Sequence, residues 1–222
     1  NPSGEQVDGN GTSYNGIAVQ TQDLKPERNK SWEAGAKVEA FNGELLLTAA
    51  AFQITKDNAR ENEGNGVYNL VGRLRSRGLE FGASGNIGPR VQIFAGYTYT
   101  DAKITKTSAF NAANLGRRFA NIPQHSGSLL ANYLLTDHIQ IGGQVYAQSK
   151  IIGEATTVNA SIPGYVRFDA MARYAPTERL EFRLNVLNLT DKRYYDAIYR
   201  SGSPFSYVAP GRSATLTASY TF

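Results

Sequence analysis

The sequence contains no cysteine, a single methionine, a single tryptophan and only two histidines in 222 residues. Without cysteine the chain cannot form a disulfide, a thiol nucleophile or a thiolate metal site. Long hydrophobic runs are also absent. The longest near-apolar stretch, LLLTAAAF at 45–52, is far shorter than the roughly 20 residues that a membrane-spanning helix requires. These absences exclude a disulfide scaffold, cysteine chemistry and a helical membrane protein.

Charge and histidine placement narrow the function further. The net charge of +4 is spread along the chain, whereas nucleic-acid binding requires a basic stripe or a binding module. His125 follows Pro123 and His138 lies in a short predicted turn, and neither has an acidic partner at metal-site or triad spacing. We therefore expect both histidines to be structural or solvated, and we expect no enzyme activity, no protein-bound metal and no nucleic-acid partner.

Aromatic residues and strand-like alternation dominate what is present. The chain has 13 tyrosines and 10 phenylalanines, which suits aromatic girdles at a membrane surface. Successive side chains of a strand point to opposite faces, so alternation produces one apolar and one polar face. The final segment, SATLTASYTF at 213–222, alternates in this way to its last residue. Its apolar face is Ala214, Leu216, Ala218, Tyr220 and Phe222.

About nine alternating segments of roughly 10–14 residues follow one another from Lys30 onward, longer than most strands of soluble sheets. Short turns near 42–43, 85–89, 136–138 and 175–179 alternate with longer loops near 56–66, 104–120, 150–162 and 191–210. Outer-membrane barrels have this asymmetry, with the long loops at one end. A β-sandwich with one exposed face is the alternative, but it predicts shorter strands and no such asymmetry.

The pattern therefore predicts an all-β fold, a transmembrane antiparallel β-barrel. An odd number of strands does not complete a bacterial barrel of the usual even-numbered kind. The chain also opens in polar sequence, NPSGEQVDGNGTSYNG, without an initiator methionine or a signal peptide. We expect residues 1–222 to be the C-terminal part of a barrel whose first strands lie upstream.

From Leu24 to its end the chain resembles the C-terminal barrel portion of TonB-dependent outer-membrane siderophore receptors. The order and spacing of several segments carry the resemblance: LKPERNKSWEAG (24–35), RSRGLEFGASG (75–85), FAGYTYTDAKI (94–104), NIPQHSGSL (121–129), GYVRFDAMARY (164–174), NVLNLTDKRYY (185–195) and GRSATLTASYTF (211–222). The segments NIPQHS and GYVRFDAM are most like ferric-catecholate receptors. The resemblance implies a barrel of about 22 strands in the bacterial outer membrane, closed by a plug domain.

The resemblance implies that the chain is part of an active transporter, which binds and imports a ferric siderophore and is powered through TonB. Iron would be carried by the siderophore, with no cofactor bound by the protein itself. The plug and the TonB box lie outside this chain. Further partners implied are outer-membrane lipid and lipopolysaccharide, and a barrel-assembly machinery that recognises the terminal Tyr220 and Phe222. A passive porin, or a small barrel acting as adhesin or structural anchor, remains the alternative.

Two predicted loops combine arginines with aromatic rings. A ferric catecholate is anionic and presents flat rings, so cations and aromatics together suit it, and recognition residues concentrate on loops. The candidate ligand-binding residues are Arg117, Arg118, Phe119, Tyr199, Arg200 and Tyr207. For the first of these loops, a solvated loop facing lipopolysaccharide is the alternative. Tyr194 and Tyr195 lie nearest a strand end and are expected in the aromatic girdle.

Arg73, Arg75 and Arg77 leave two possibilities open. Unbroken alternation places them on the face of Leu79 and Phe81, the lipid side, where they are tolerated only at headgroup depth beside phosphates. A bulge at Gly78 would instead turn them toward the lumen.

Overall fold

The structure is a computed structural model that describes residues 25–63, 68–153, 160–199 and 205–222. Nine strands form one sheet in the order β1-β2-β3-β4-β5-β6-β9-β10-β13, and two short hairpins, β7–β8 and β11–β12, lie outside it. No helix in these ranges is both long and apolar enough to span a bilayer. The strands are β1 (Arg28–Ala40), β2 (Leu45–Asn62), β3 (Tyr68–Ile87), β4 (Val91–Lys106), β5 (His125–Thr136), β6 (Ile139–Gln148), β7 (Ile151–Ile152), β8 (Ser161–Ile162), β9 (Tyr165–Thr177), β10 (Leu180–Leu187), β11 (Tyr195–Ile198), β12 (Ser206–Val208) and β13 (Ser213–Tyr220).

The nine-stranded antiparallel sheet confirms the predicted all-β fold. The first turn shows how the sequence specifies a hairpin. Phe41, Asn42 and Gly43 have φ values of 52°, 57° and 89°, and the Glu44 N–H donates to Phe41 O at 3.1 Å. Asparagine and glycine adopt this left-handed backbone more readily than other residues, which is why Asn-Gly closes hairpins.

Because neighbours in the sheet are antiparallel, successive connections alternate between its two ends. The turns at 41–44, 88–90, 137–138 and 178–179 share one end, which we call the short-turn end. The connections from β2 to β3, from β4 to β5, from β6 to β9 and from β10 to β13 leave from the other end, which we call the long-connection end. The predicted separation of short and long connections is confirmed.

The loop predicted at 56–66 is wrong over most of its length. β2 continues to Asn62 and pairs with β3 as far as the Asn62–Tyr68 pair, with register shifts around Ala59. The segment TKDNAREN is polar on both faces, so it lacks the alternation from which a strand is predicted. Backbone pairing and ion pairs hold it instead, among them Arg73 with Asp57 and Lys56 with Glu27, both at 2.5 Å.

The two faces of the sheet differ in polarity. One carries exposed apolar side chains along most of its height, including Val38 (58% exposed), Phe81 (48%) and Leu216 (69%). We call this the outward face. The opposite, inward face carries polar and charged side chains such as Lys37, Glu80, Gln144, Arg173 and Glu181, as the strand registers assign them. An exposed apolar face opposite a polar one is the pattern of a barrel that contacts lipid outside and water or protein inside.

Gly78 does not bulge. Leu79 pairs with both Ala51 and Tyr99, and the register runs unbroken through Gly78 on both sides of β3. The Phe52 ring lies against Gly78, where an added Cβ would collide with the Tyr99 carbonyl. Of the two possibilities left open by the sequence, the structure therefore selects unbroken alternation: Arg75 and Arg77 share the outward face with Leu79.

Candidate ligand-binding site at the long-connection end

Three of the long connections pack together. Ile151, Ile162 and Ile198 form a buried cluster that joins the β7–β8 hairpin to the β11–β12 hairpin. Asn121 links a third segment to both hairpins. Its N–H donates to a β7 carbonyl at 2.9 Å, and its Oδ1 accepts the Ile198 N–H at 3.3 Å. We call segment 116–121 and these two hairpins the loop cluster.

Arg117, Arg118 and Phe119 lie along the end of β4. The Ile104 N–H donates to Arg117 O at 2.9 Å, and the Phe119 N–H donates to a β4 carbonyl at 3.1 Å. All three side chains are half-buried. Arg118 lies opposite Lys103 in an isolated antiparallel bridge, which places these two side chains on the same side. By alternation, Arg117 and Phe119 point to the other side, so the two arginines face different surroundings.

Tyr199, Phe205 and Tyr207 form an aromatic row at the β11–β12 hairpin. The Tyr199 and Phe205 rings stack with centroids 4.9 Å apart and planes at 19°, and the Phe205 and Tyr207 centroids are 5.3 Å apart. Each residue is about half exposed, at 50%, 53% and 49%. The Tyr199 N–H donates to Phe205 O at 2.8 Å, which sets the two rings side by side. The row therefore presents aromatic surface to the long-connection end.

Tyr199 and Tyr207 were candidates from the sequence, whereas Phe205 could be recognised only as one of several aromatic residues of the same loop. Its stacking on Tyr199 depends on hairpin pairing, which the sequence does not show. The candidate Arg200 lies outside the described residues. Among those that are described, no hydrogen bond, ion pair or ring contact joins Arg117, Arg118 or Phe119 directly to the aromatic row. The two groups belong to one loop cluster through Asn121.

The base of the last long connection is held by Asn188, which sequence reasoning did not single out. Asn188 is 1% exposed and has φ 52°. Its Nδ2 donates to Lys192 O at 2.9 Å and to Pro210 O at 3.3 Å, while its Oδ1 accepts the Lys192 N–H at 2.9 Å. Its own N–H donates to Asp169 Oδ1 at 2.8 Å. One side chain thus joins both ends of the connection that carries the aromatic row.

Tyr194 and Tyr195 do not lie in an aromatic girdle, so that prediction is wrong. Tyr194 is 6% exposed, its ring centroid lies 4.1 Å from that of Tyr165, and its hydroxyl accepts from Arg167 Nη1 at 3.3 Å. Tyr195 packs against the buried isoleucine cluster. Both side chains are at least partly buried because the chain that follows β10 crosses the inward face above Arg167. It does not follow the lipid boundary.

Tyr220 and Phe222 lie at the opposite, short-turn end. Their rings meet edge to face with centroids 5.3 Å apart, and both side chains are exposed. The Thr221 N–H donates to Arg179 O at 2.9 Å, which continues the pairing with the β9–β10 turn beyond β13. The terminal aromatics are thus presented together at the edge of the sheet.

The two histidines have local partners. Tyr97 Oη and His125 Nδ1 are 2.7 Å apart, and His138 Nδ1 lies 2.9 Å from Ala175 O. Within the described ranges no group of three or more histidine, aspartate or glutamate side chains is arranged to hold a metal ion.

An antiparallel sheet with an exposed apolar face, a polar inner face and packed long connections at one end defines the class: an outer-membrane β-barrel. Comparison with known proteins identifies the family. The family model described as "TonB dependent receptor-like, beta-barrel" matches residues 1–189. The chain belongs to the TonB-dependent receptor family, forms part of its barrel, and is a protein of the Gram-negative outer membrane.

Individual relatives agree with this family. Over 209 residues the chain is 35% identical to the probable TonB-dependent receptor BfrD of Bordetella pertussis, covering 90% of this chain and 28% of BfrD. Over 213 residues it is 34% identical to the catecholate siderophore receptor Fiu of Escherichia coli K12, covering 95% of this chain and 28% of Fiu.

A solved structure agrees as well. The crystal structure of the siderophore receptor PiuA from Acinetobacter baumannii superposes with a TM-score of 0.83 at 31% identity, covering 94% of this chain and 31% of that one. The chain thus spans less than a third of the length of these relatives.

Proposed function

We propose that the chain is the C-terminal part of the barrel of an active outer-membrane transporter that imports a ferric siderophore of the catecholate type. The observation that carries the ligand class is the exposed row of Tyr199, Phe205 and Tyr207, because stacked rings suit a flat aromatic chelator. The similarity to receptors named for siderophores and for catecholates supports the same class. The plug, the TonB box and the remaining strands would belong to the rest of the receptor.

In this mechanism the barrel makes and breaks no covalent bond. The cations of Arg117, Arg118 and Arg200 would attract the anionic chelate, and the aromatic row would stack on its rings. Iron is the cargo and remains held by the siderophore. The fixed base at Asn188 and the buried isoleucine cluster would keep the row in position, so that less ordering is required when the ligand binds. TonB, acting through the plug, would supply the energy for release inward.

Binding of a ferric tris-catecholate to the assembled, purified receptor tests the ligand class. The combined change Tyr199→Ala, Phe205→Ala, Tyr207→Ala should weaken binding about tenfold or more, because stacking is lost at three rings. A ferric hydroxamate without aromatic rings serves as the comparison ligand. Tyr133→Ala, on the outward face, serves as the control substitution. Equal affinity of the parent and the triple variant for the catecholate would refute stacking as the basis of recognition.

The arginines are tested in the same assay at two salt concentrations. Arg117→Ala, Arg118→Ala, Arg200→Ala should weaken catecholate binding about tenfold or more, with the larger loss at low salt. Of the single changes, Arg117→Ala should weaken binding more than Arg118→Ala, because Arg118 lies on the side of Lys103.

Uptake of radioactive iron as the same chelate should require TonB, whereas uptake that persists without TonB would indicate a passive porin.

A further inference from the structure

The inward face of the sheet differs in charge between its two sides. Over residues 31–40, 45–54 and 74–87, on β1–β3, the inward ionisable side chains are three carboxylates, Glu33, Glu39 and Glu80, and one lysine, Lys37. On β9 and β10 they are three arginines and two carboxylates, Arg167, Arg173, Arg183, Asp169 and Glu181. An anion inside the barrel would therefore be repelled by the first side and attracted by the second.

Arg173 and Arg183 lie directly opposite each other on β9 and β10, and we call them the arginine pair. They share one carboxylate: Arg173 Nε lies 2.6 Å from Glu181 Oε2, and Arg183 Nη2 lies 2.9 Å from Glu181 Oε1. Like charges opposite each other across two strands destabilise a sheet, and one glutamate leaves an excess of positive charge here. Each guanidinium has five N–H donors and gives one to Glu181, so donors remain for an external anion.

Hydroxyl groups line the wall beside the arginine pair. β13 is the next strand of the sheet, and each of its inward positions is a serine or a threonine. Thr217 lies opposite Arg183, and on the other flank Gln140 lies opposite Arg173. Hydroxyl and amide groups both donate and accept hydrogen bonds, so they suit the oxygen atoms of a passing chelate. The hydroxyl column consists of Ser213, Thr215, Thr217 and Ser219 and continues to Thr221 beyond the strand.

A hollow of about 400 Å³ adjoins the arginine pair at the short-turn end. Arg173 and Arg179 lie in its lining, but so do Asp137, Glu178 and Glu181. Carboxylates outnumber arginines there, so an anion is attracted less strongly by the hollow than by the pair. The wall thus becomes less favourable to an anion as it approaches the short-turn end, which suits release more than retention.

We propose that the wall formed by β9, β10 and β13 is the path of the anionic ferric chelate through the barrel, with the arginine pair as a transient binding site. The path rests on the proposed function, which supplies an anionic ligand from the loop cluster. Pores for anions are lined by arginine or lysine, and their sites must bind weakly enough for the ion to leave. Arg173 lies ~20 Å further along β9 than Arg167, which contacts Tyr194 at the long-connection end. The arginine pair would therefore receive the chelate after it leaves the outer site.

Binding and uptake of radioactive iron as a ferric tris-catecholate test the path, with binding measured on cells without TonB and uptake on cells with TonB. Arg173→Gln, Arg183→Gln in the complete receptor should leave the surface affinity unchanged and lower the saturating uptake rate about tenfold. The double lysine variant keeps the charge and should lose much less. Arg183→Gln alone should lower the rate about threefold, whereas Lys37→Gln, the matched loss of one cation from the opposite side, should leave it unchanged.

Glu181→Gln separates transport from structure. It breaks the same ion pairs but keeps both cations, so uptake should stay at the parent rate or rise. The triple variant Arg173→Gln, Glu181→Gln, Arg183→Gln leaves no unpaired carboxylate and should be as slow as the double variant. Should the double variant fail to assemble, the triple variant and Arg183→Gln carry the test.

The outcomes separate the path from the proposed function. Parent-like uptake by the arginine variants, or an equal loss in Glu181→Gln, would overturn the transient site and leave the proposed function intact. A large loss of surface affinity in the arginine variants would place the pair in the outer site and overturn the path as well. A parent receptor that neither binds nor imports the catecholate refutes the proposed function and, with it, the path.

Discussion

Asn188 is the residue on which the last long connection depends most. It is the most deeply buried polar side chain described, it adopts a left-handed backbone, and its amide group makes three hydrogen bonds to main-chain atoms of Lys192 and Pro210. An asparagine is suited to this position because it tolerates positive φ and supplies both donors and an acceptor.

Replacing Asn188 should therefore loosen the connection. Asn188→Ala removes hydrogen bonds worth ~1 kcal/mol each and adds ~1 kcal/mol of backbone strain. We expect trypsin to cleave the assembled receptor after Lys192 or Arg193 more than tenfold faster, because cleavage requires this segment to open. Asn185→Ala, the same substitution on neighbouring β10, should leave the rate unchanged. A parent-like rate for Asn188→Ala would show that the connection is held by other contacts.

At the scale of the element, β13 ends at Tyr220, and its exposed ring meets the ring of Phe222, two residues further on, edge to face. We predict that Phe222→Asp lowers the amount of folded receptor in the outer membrane several-fold, as measured by immunoblotting of unheated membrane samples. The change would remove an aromatic contact at the membrane boundary and the aromatic end that barrel assembly would recognise. Phe222→Tyr should assemble normally, and Thr221→Asp separates the effect of charge from the loss of the ring. Unchanged abundance of the Phe222→Asp protein would exclude both roles for this residue.

The strands could be predicted from the sequence where one of their faces contacts lipid. In β1, β4 and β13 the lipid-facing residues alternate with polar ones, so the period of the strand is visible in the sequence. The end of β2 was not predictable, because Asp57–Asn62 extends beyond the apolar surface and its polar side chains carry no such period.

The loop cluster was predictable only in composition. Arginine and aromatic residues could be recognised in both loops, but their arrangement depends on contacts between distant parts of the chain. Asn121, for example, accepts a hydrogen bond from a residue 77 positions later. For the same reason the burial of Tyr194 against Tyr165 and Arg167 could not be read from its position beside a strand end.

At the scale of the whole molecule, the siderophore proposal depends on one orientation of the barrel. The loop cluster lies at the long-connection end, so that end must face the outside of the cell if a siderophore is to reach it. The terminal Phe222 must then lie at the periplasmic side. The separation of connection lengths supports this orientation, since outer-membrane barrels have long extracellular loops and short periplasmic turns.

Cysteine labelling tests this orientation, and the chain offers a clean background because it contains no cysteine. Ala113, Asp137 and Ala49 are all exposed, in the long connection 107–124, in the β5–β6 turn and on the outward face of β2 respectively. In intact cells a membrane-impermeant maleimide should label Ala113→Cys. Asp137→Cys should react only after the outer membrane is permeabilised. Ala49→Cys should stay unlabelled in both conditions, because lipid surrounds this position and the water-soluble maleimide does not reach it. Labelling of Asp137→Cys but not Ala113→Cys on intact cells would place the loop cluster in the periplasm, and a siderophore could then not bind where we propose.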